Sequence, residues 1–229
     1  MTILAIDTSN YALGIALLRE ETVIAEHITY LKKNHSVRAM PAVHSLLNDC
    51  EMTPRDLSKI VVAKGPGSYT GVRIGVTLAK TLAWSLNIPI TAVSSLEALA
   101  ANGRHFDGLI SPIFDARRGQ VYTGLYEYKK GLLEQVVSDQ NVMLAEWLEL
   151  LNEKDRPVLF IGHDTSIHKQ MIEDVLGSKG IIGAAAQHNP RPSELAFLGA
   201  EKKAEDVHRL VPEYLRLAEA EAKWIESQK

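Results

Sequence analysis

With 229 residues, 46% of them hydrophobic, and a formal net charge of −3, the chain has the make-up of an ordinary folded protein of one or two lobes, which excludes a disordered polyelectrolyte. The slightly acidic balance supplies no global attraction to phosphate backbones, and the basic pairs Lys32-Lys33, Arg117-Arg118, Lys129-Lys130 and Lys202-Lys203 are scattered and read as solvated surface pairs. Cys50 is the only cysteine, so an intrachain disulfide and a cysteine-rich metal site are excluded and a reducing compartment fits.

Met1 leads directly into the apolar run Thr2-Ile3-Leu4-Ala5-Ile6, without the basic start and cleavage site of a signal peptide. No apolar run approaches a membrane span, so the expected location is the cytoplasm, with no membrane partner. Apolar and β-branched residues recur over 2–7, 11–18 and 22–29, between turn-like breaks at Ser9-Asn10 and Glu20-Glu21, and predict three consecutive strands. A helix is expected over about 36–48, with Pro41 tolerable only in its first turn. Thr53-Pro54-Arg55-Asp56 reads as a helix start leading into a strand at 59–63. A long helix at about 70–87 and a strand at 88–93 follow, and Ser94-x-x-Glu97 has the form of a capping box opening a helix to about 101.

A second series predicts strands near 109–114, 120–128 and 132–137, a helix near 144–152 and a strand at 158–161. Helices near 165–176, 193–205 and 218–227 complete it. Three strands followed by alternation occur twice, which implies an α/β fold of two lobes of like topology, the architecture of the actin, Hsp70 and sugar-kinase superfamily. The Asn102-Gly103-Arg104-His105 stretch is the natural boundary, giving lobes 1–104 and 105–229.

Between the strand at 59–63 and the long helix lies Gly65-Pro66-Gly67-Ser68-Tyr69-Thr70-Gly71-Val72-Arg73-Ile74-Gly75, four glycines in eleven residues. Such a strand, loop and helix N-terminus suits anion binding, with Ser68 or Thr70 as the cap; it equally suits a tight turn. Neither the lysine-containing phosphate loop nor the dinucleotide fingerprint is matched.

Taken whole, the run resembles the hallmark of the TsaB (YeaZ) family. The likeness extends to Ile3-Leu4-Ala5-Ile6-Asp7-Thr8-Ser9, His35-Ser36, Ser94-Ser95-Leu96-Glu97-Ala98-Leu99, Asp115-Ala116-Arg117-Arg118-Gly119-Gln120-Val121-Tyr122 and Pro212-Glu213-Tyr214-Leu215-Arg216, in order along nearly the whole chain. The resemblance implies a non-catalytic scaffold needed to make N6-threonylcarbamoyladenosine in tRNA. It implies pairing with a related catalytic subunit, TsaD, alongside an ATPase, TsaE, and self-pairing as a homodimer when TsaD is absent. Contact with tRNA is then expected through the complex.

In the superfamily, nucleotide sits between lobes against the opening hairpin of each. Asp7-Thr8-Ser9 is a plausible first hairpin, but Arg117 and Arg118 stand where permissive glycines would be, and only Gly162 remains where an adenosine loop would lie. The expectation is loss of the nucleotide cleft, with no cofactor on the isolated chain and ATP or ADP confined to a composite site in the complex. Asp7, Ser68, Thr70, Arg117 and Arg118 are the candidate phosphate contacts. His35 is followed by Ala39 where the catalytic relative has a second histidine, and His44 is about half a turn out of phase, so no metal is expected. Ser9, Ser68 and Ser111 lack a nucleophile-elbow pattern, so no catalytic residue is assigned.

Projected as a helix, 72–87 carries apolar residues over roughly 200°, about twice the arc of an ordinary surface helix. The small-residue seam Val72, Val76, Ala79, Ala83, Leu86 has the spacing of a helix–helix interface, although burial within its own lobe explains it nearly as well. One helix of about 25 Å offers only about 250 Å², short of the roughly 800 Å² per partner of a stable complex. The helix over 36–48, with Val37, Met40, Val43 and Leu47, is the expected second contributor to a four-helix interface. Two other readings stay open: a phosphate-binding enzyme using Asp7, Ser68 and Thr70, and a self-associating regulatory homodimer.

Overall fold

The computed structural model describes residues 1–216, so the helix expected at 218–227 lies outside the described residues. Strands β1 (Thr2–Asp7), β2 (Ala12–Arg19) and β3 (Thr22–Tyr30) open the chain, followed by α1 (Ala39–Asp49), β4 (Lys59–Ala63), α2 (Tyr69–Leu86), β5 (Ile90–Val93) and α3 (Ser95–Ala100). The second series is β6 (Leu109–Arg117), β7 (Gln120–Lys129), β8 (Leu132–Met143), α4 (Leu144–Asn152), β9 (Val158–Ile161), α5 (Thr165–Leu176) and β10 (Gly180–Ile182), and α6 (Pro192–Glu201) follows. The sheets run β3-β2-β1-β4-β5 and β10-β9-β6-β7-β8, which is one topology used twice. In each, three antiparallel strands are extended by two parallel ones.

Local signals account for most boundaries. A single 3-10 turn at His35–Val37 precedes α1, which puts Pro41 in the first turn, where its missing N–H costs nothing. The Asp56 carboxylate accepts from both the N–H (2.7 Å) and the hydroxyl (2.8 Å) of Thr53, but the element they open is only the 3-10 turn Pro54–Asp56. Ser94 caps α3 through Leu96 and Glu97 N–H, while the Glu97 carboxylate turns to Lys202. β8 runs six residues past the expected 137, α6 stops at Glu201, and β10 was not anticipated.

Period-two alternation gives each sheet two apolar faces. In the first sheet Leu4, Ile6, Ile60 and Val62 face α1 and α2, whereas Ile3, Ala5, Val61 and Ala63 face the other way, against Leu195 and Ala196 of α6. The second sheet packs one face on α4 and α5 and the other on Leu96, Leu99 and Ala100 of α3. The expected lobes 1–104 and 105–229 therefore need correction: α3 covers the second sheet and α6 returns to cover the first. Each half leaves one apolar face bare, and a helix from the other half fills it.

The seam on α2 also needs correction. Val72, Val76, Ala79 and Ala83, with Val43 and Leu47 of α1, are buried against their own sheet, and Leu86 is half-buried beside them. Small side chains let the helix approach the strands closely, so the seam serves the lobe's interior and is closed to a partner. The outer faces carry Val37 (69% exposed), Met40 (42%) and Trp84 (66%).

The first half holds both ends of α6. At its N-terminus the Glu26 carboxylate accepts hydrogen bonds from the Ser193 N–H (2.9 Å) and hydroxyl (2.6 Å) and pairs with Arg191. At its C-terminus the buried Lys59 ammonium donates to the carbonyls of Gly199 (2.6 Å), Ala200 (3.1 Å) and Lys202 (3.0 Å). Anion at the start and cation at the end both match the helix dipole. Lys59→Met should cost about 2–3 kcal/mol in urea unfolding, because three carbonyls lose a charged donor.

Candidate functional site

The glycine run is the seat of the β1–β2 turn. A Cβ on Gly67 would lie 2.2 Å from the Ser9 carbonyl oxygen, and one on Gly71 would lie 2.2 Å from that of Thr8. Ser68 N–H donates to Ser9 O (2.7 Å), and the Thr8 hydroxyl donates to Gly71 O (2.7 Å). The Ser68 hydroxyl caps α2 by accepting from Gly71 N–H. Of the two readings of the loop, close packing is the one the geometry carries: the space that would admit a phosphate is filled by the first hairpin's own backbone.

A strap formed by residues 212–216 closes over the same loop. Glu213 N–H donates to Lys64 O (2.8 Å), and its carboxylate pairs with the Lys64 ammonium at 2.9 Å. Arg73 donates from Nε to the Tyr214 hydroxyl (2.6 Å) and lies 4.0 Å over the Tyr69 ring. Arg216 Nη1 then reaches the Ala116 carbonyl at the β6–β7 turn (2.8 Å), so the strap joins the glycine loop to the opposite lobe.

A cleft of about 1020 Å³ opens between the lobes. The sequence pattern implies loss of the nucleotide-binding features of such a cleft, with Arg117 and Arg118 in place of permissive glycines and a single Gly162 at the adenosine loop; an open space nevertheless remains. Both arginines adopt left-handed backbone (φ 65° and 56°), forming the hairpin turn with Gly119, and they stand in the wall rather than the void. Left-handed conformation costs a non-glycine residue about 1–2 kcal/mol, so the turn holds them in place against a local preference. Ser68 and Thr70 line the same cleft. Asp7 does not: it is 2% exposed, and its Oδ1 accepts the Ser9 N–H (2.8 Å) in an Asx turn beneath the floor.

Several lining residues were not singled out as a group from the sequence. Lys32 and Lys33, read as a solvated pair, stand on the wall, as do Tyr11 and His35. His35 Nε2 faces the Asn10 carbonyl at 2.7 Å, so that nitrogen carries the proton and Nδ1 is a bare lone pair in the neutral ring. Asp7 Oδ2, Ser9 Oγ, Asn10 Nδ2 and His35 Nδ1 are buried with no hydrogen-bond partner among the described residues. Outside the cleft, Tyr30 of β3 stacks on His163 with ring centroids 3.7 Å apart, and His163 bonds Asn189 (2.8 Å). His188 accepts Gly162 N–H, and burial holds its imidazolium below the usual range. Among the described residues, no three His, Cys, Asp or Glu side chains converge as metal ligands would.

Burial raises the Asp7 carboxyl above the usual aspartate range, outweighing the Ser9 N–H hydrogen bond that lowers it. Its contribution to stability is therefore full at low pH and declines as pH rises through the folded-state value. Asp7→Asn should remove that decline, so thermal scans should show the variant gaining on the parent as pH rises above the ordinary aspartate range. Gly71→Ala should destabilise by about 2–3 kcal/mol in urea, because the hairpin carbonyl cannot withdraw without unseating the turn.

The family model described as TsaD, tRNA N6-adenosine threonylcarbamoyltransferase, matches residues 22–224. The tRNA threonylcarbamoyladenosine biosynthesis protein TsaB of Bacillus subtilis is 89% identical over 229 residues, the whole of both chains. The protein of that name from Escherichia coli is 36% identical over 129 residues, 56% of this chain and 55% of that one. Among solved structures, YeaZ from Pseudomonas aeruginosa superposes with a TM-score of 0.77 at 25% identity, covering 93% of this chain and 99% of that one. The ethanolamine utilization protein EutJ from Carboxydothermus hydrogenoformans, at 12% identity and a TM-score of 0.53 over 87% of this chain and 90% of its own, shares the fold alone. The two-lobed actin-like α/β architecture expected from the element order is the one observed. No helix among the described residues is long and apolar enough to cross a membrane.

Proposed function

The chain belongs to the TsaB (YeaZ) family of tRNA threonylcarbamoyladenosine biosynthesis proteins, and from that premise we propose that it is a non-catalytic, cytoplasmic scaffold subunit for threonylcarbamoyl transfer to the adenosine beside the anticodon. It pairs with the catalytic subunit TsaD, is joined by the ATPase TsaE, and forms a homodimer when TsaD is absent. The observation that carries this reading is the set of large exposed apolar side chains on the outer sides of the two helices covering one face of the first sheet, Met40 on α1 and Trp84 on α2, with Val37 exposed in the turn before α1. Large apolar groups left in water on neighbouring helices mark a surface meant to be covered. The pairing face is thus the outer side of α1 and α2.

The close packing of the glycine loop favours a scaffold over an enzyme, because its glycines seat the β1–β2 turn and its Ser68 N–H is taken by the Ser9 carbonyl, which depletes the amide cradle that a phosphate-transfer site would use. A second reading, a nucleotide-binding protein of the sugar-kinase type, draws on the open cleft with Ser68, Thr70, Arg117 and Arg118 on its walls. In the scaffold reading, ATP or ADP belongs to a composite site in the assembled complex.

Reconstituted transfer to tRNA by TsaD and TsaE should require this chain, and light scattering of the same samples should show a stable complex. Turnover by the chain alone would favour the second reading. Met40→Glu and Trp84→Glu should each abolish pairing in size-exclusion chromatography with an unchanged melting temperature. Ala79→Glu, on the buried seam, should instead unfold the lobe.

A further inference from the structure

The scaffold role leaves the interlobe cleft with no occupant assigned to this chain, although its walls are chemically distinctive. Lys32 and Lys33, on the loop after β3, and Arg117, at the β6–β7 turn, line it from opposite lobes; all three are exposed, and among the described residues none pairs with a carboxylate. Asp115, Asp164 and Glu213 also line the cleft, but Glu213 is engaged by Lys64 and Asp115 lies beside His168, so in a chain of net charge −3 these three cations form a local concentration of positive charge. An aromatic face stands beside them, since Tyr11 is 50% exposed and lies in the same wall, with the Lys32 ammonium 6.0 Å from its ring centroid. The floor supplies unpartnered polar atoms: Ser9 is 0% exposed and His35 8%, both line the cleft, and among the described residues Ser9 Oγ and His35 Nδ1 have no hydrogen-bond partner.

Cations along two walls, a half-exposed aromatic ring and unpartnered polar atoms between them are the elements of a nucleic-acid strand site. Size and phosphate chemistry decide between a strand and a mononucleotide. At about 1020 Å³ the cleft is at the upper limit of small-molecule pockets. The Ser68 N–H is taken by the Ser9 carbonyl and Gly67 and Gly71 are backed by the β1–β2 turn, which leaves an incomplete amide cradle for a terminal phosphate and shifts phosphate recognition toward side chains spread over two lobes, as suits successive phosphodiesters. Exposed bases, as in a single strand, are what an aromatic side chain reads.

We propose that the interlobe cleft binds a single-stranded RNA segment, with phosphates on Lys32, Lys33 and Arg117 and a base stacked on Tyr11, above the polar floor of Ser9 and His35. The scaffold reading enters only as the reason the RNA would be tRNA. Binding itself is a property of this chain and is measured without its partners.

The test is fluorescence anisotropy of a labelled, mixed-sequence, single-stranded oligoribonucleotide of about ten nucleotides, titrated with the full chain at several salt concentrations. A dissociation constant of roughly 1–100 μM that weakens with salt is expected, with a duplex of equal length binding less well. The Lys32→Glu/Lys33→Glu variant should lose about tenfold or more and flatten the salt slope by about 0.7 per phosphate contact removed. Tyr11→Ala should lose about tenfold, and Lys130→Glu, on the β7–β8 turn outside the cleft, should bind like the parent. Arg117→Gly keeps the left-handed backbone accessible and should match the loss of one cation. Circular dichroism melts identify any variant that fails to fold, and the remaining variants then decide. Absence of binding, equal binding by the Lys32→Glu/Lys33→Glu variant, or complete displacement by equimolar ATP would overturn the proposal, the last in favour of a mononucleotide site. Pairing with TsaD, followed by light scattering on the same variants, fails independently and so separates this proposal from the scaffold reading.

Discussion

Where the Thr8–Ser9 turn crosses Gly67 and Gly71, two backbones approach so closely that not even a methyl group fits between them. The arrangement around the cleft follows from that approach. It fixes the tip of the first hairpin against the start of α2, which in turn fixes the surface on which the 212–216 strap lies. The strap continues to the second hairpin, so one glycine-dependent contact sets the spacing between two elements more than a hundred residues apart in the chain. A phosphate-binding loop and a backbone seat need the same residue type for the same reason, absence of a side chain, and differ only in what enters the space.

Other contacts across the cleft act with this one. Ser94, at the end of β5, donates to Asp139 of β8, which also accepts from Tyr126, and burial raises that carboxyl above the usual range. Tyr30 meets His163 at another edge, and Arg216 meets Ala116 at a third. Three ties of different chemistry, none of them a simple exposed ion pair, hold the lobes in register. The cleft is thus a feature of defined width, and its charged walls face each other across a fixed gap.

The sequence was most legible where the signal is local. α4, β9 and α5 begin and end at their predicted residues, because apolar periodicity and flanking polar residues mark both boundaries. The glycine run was conspicuous, yet its partner, Thr8–Ser9, lies some sixty residues away, and no local pattern distinguishes a filled space from an empty one. The α2 seam was ambiguous for a related reason: a helix apolar around 200° has two candidate inner faces, and only the sheet beneath it selects one. Arg117 and Arg118 stand out in the sequence as replacements for glycines; that both take left-handed backbone at the hairpin turn and line an open cleft is visible only in the fold. Lys32 and Lys33 looked like any solvated pair, since the arginine facing them belongs to the other lobe.

Least legible was which sheet each helix covers, and that exchange of α3 and α6 bears on how the chain is made. All five strands of the first sheet are synthesised before any of the second, but the helix that shields Ile3, Ala5, Val61 and Ala63 comes after both. During synthesis that face stays wet until the last portion of the chain emerges, an interval in which it is prone to aberrant association. A nascent first half is therefore a natural client for chaperones, and a fragment ending with the second sheet would carry the same uncovered apolar surface permanently.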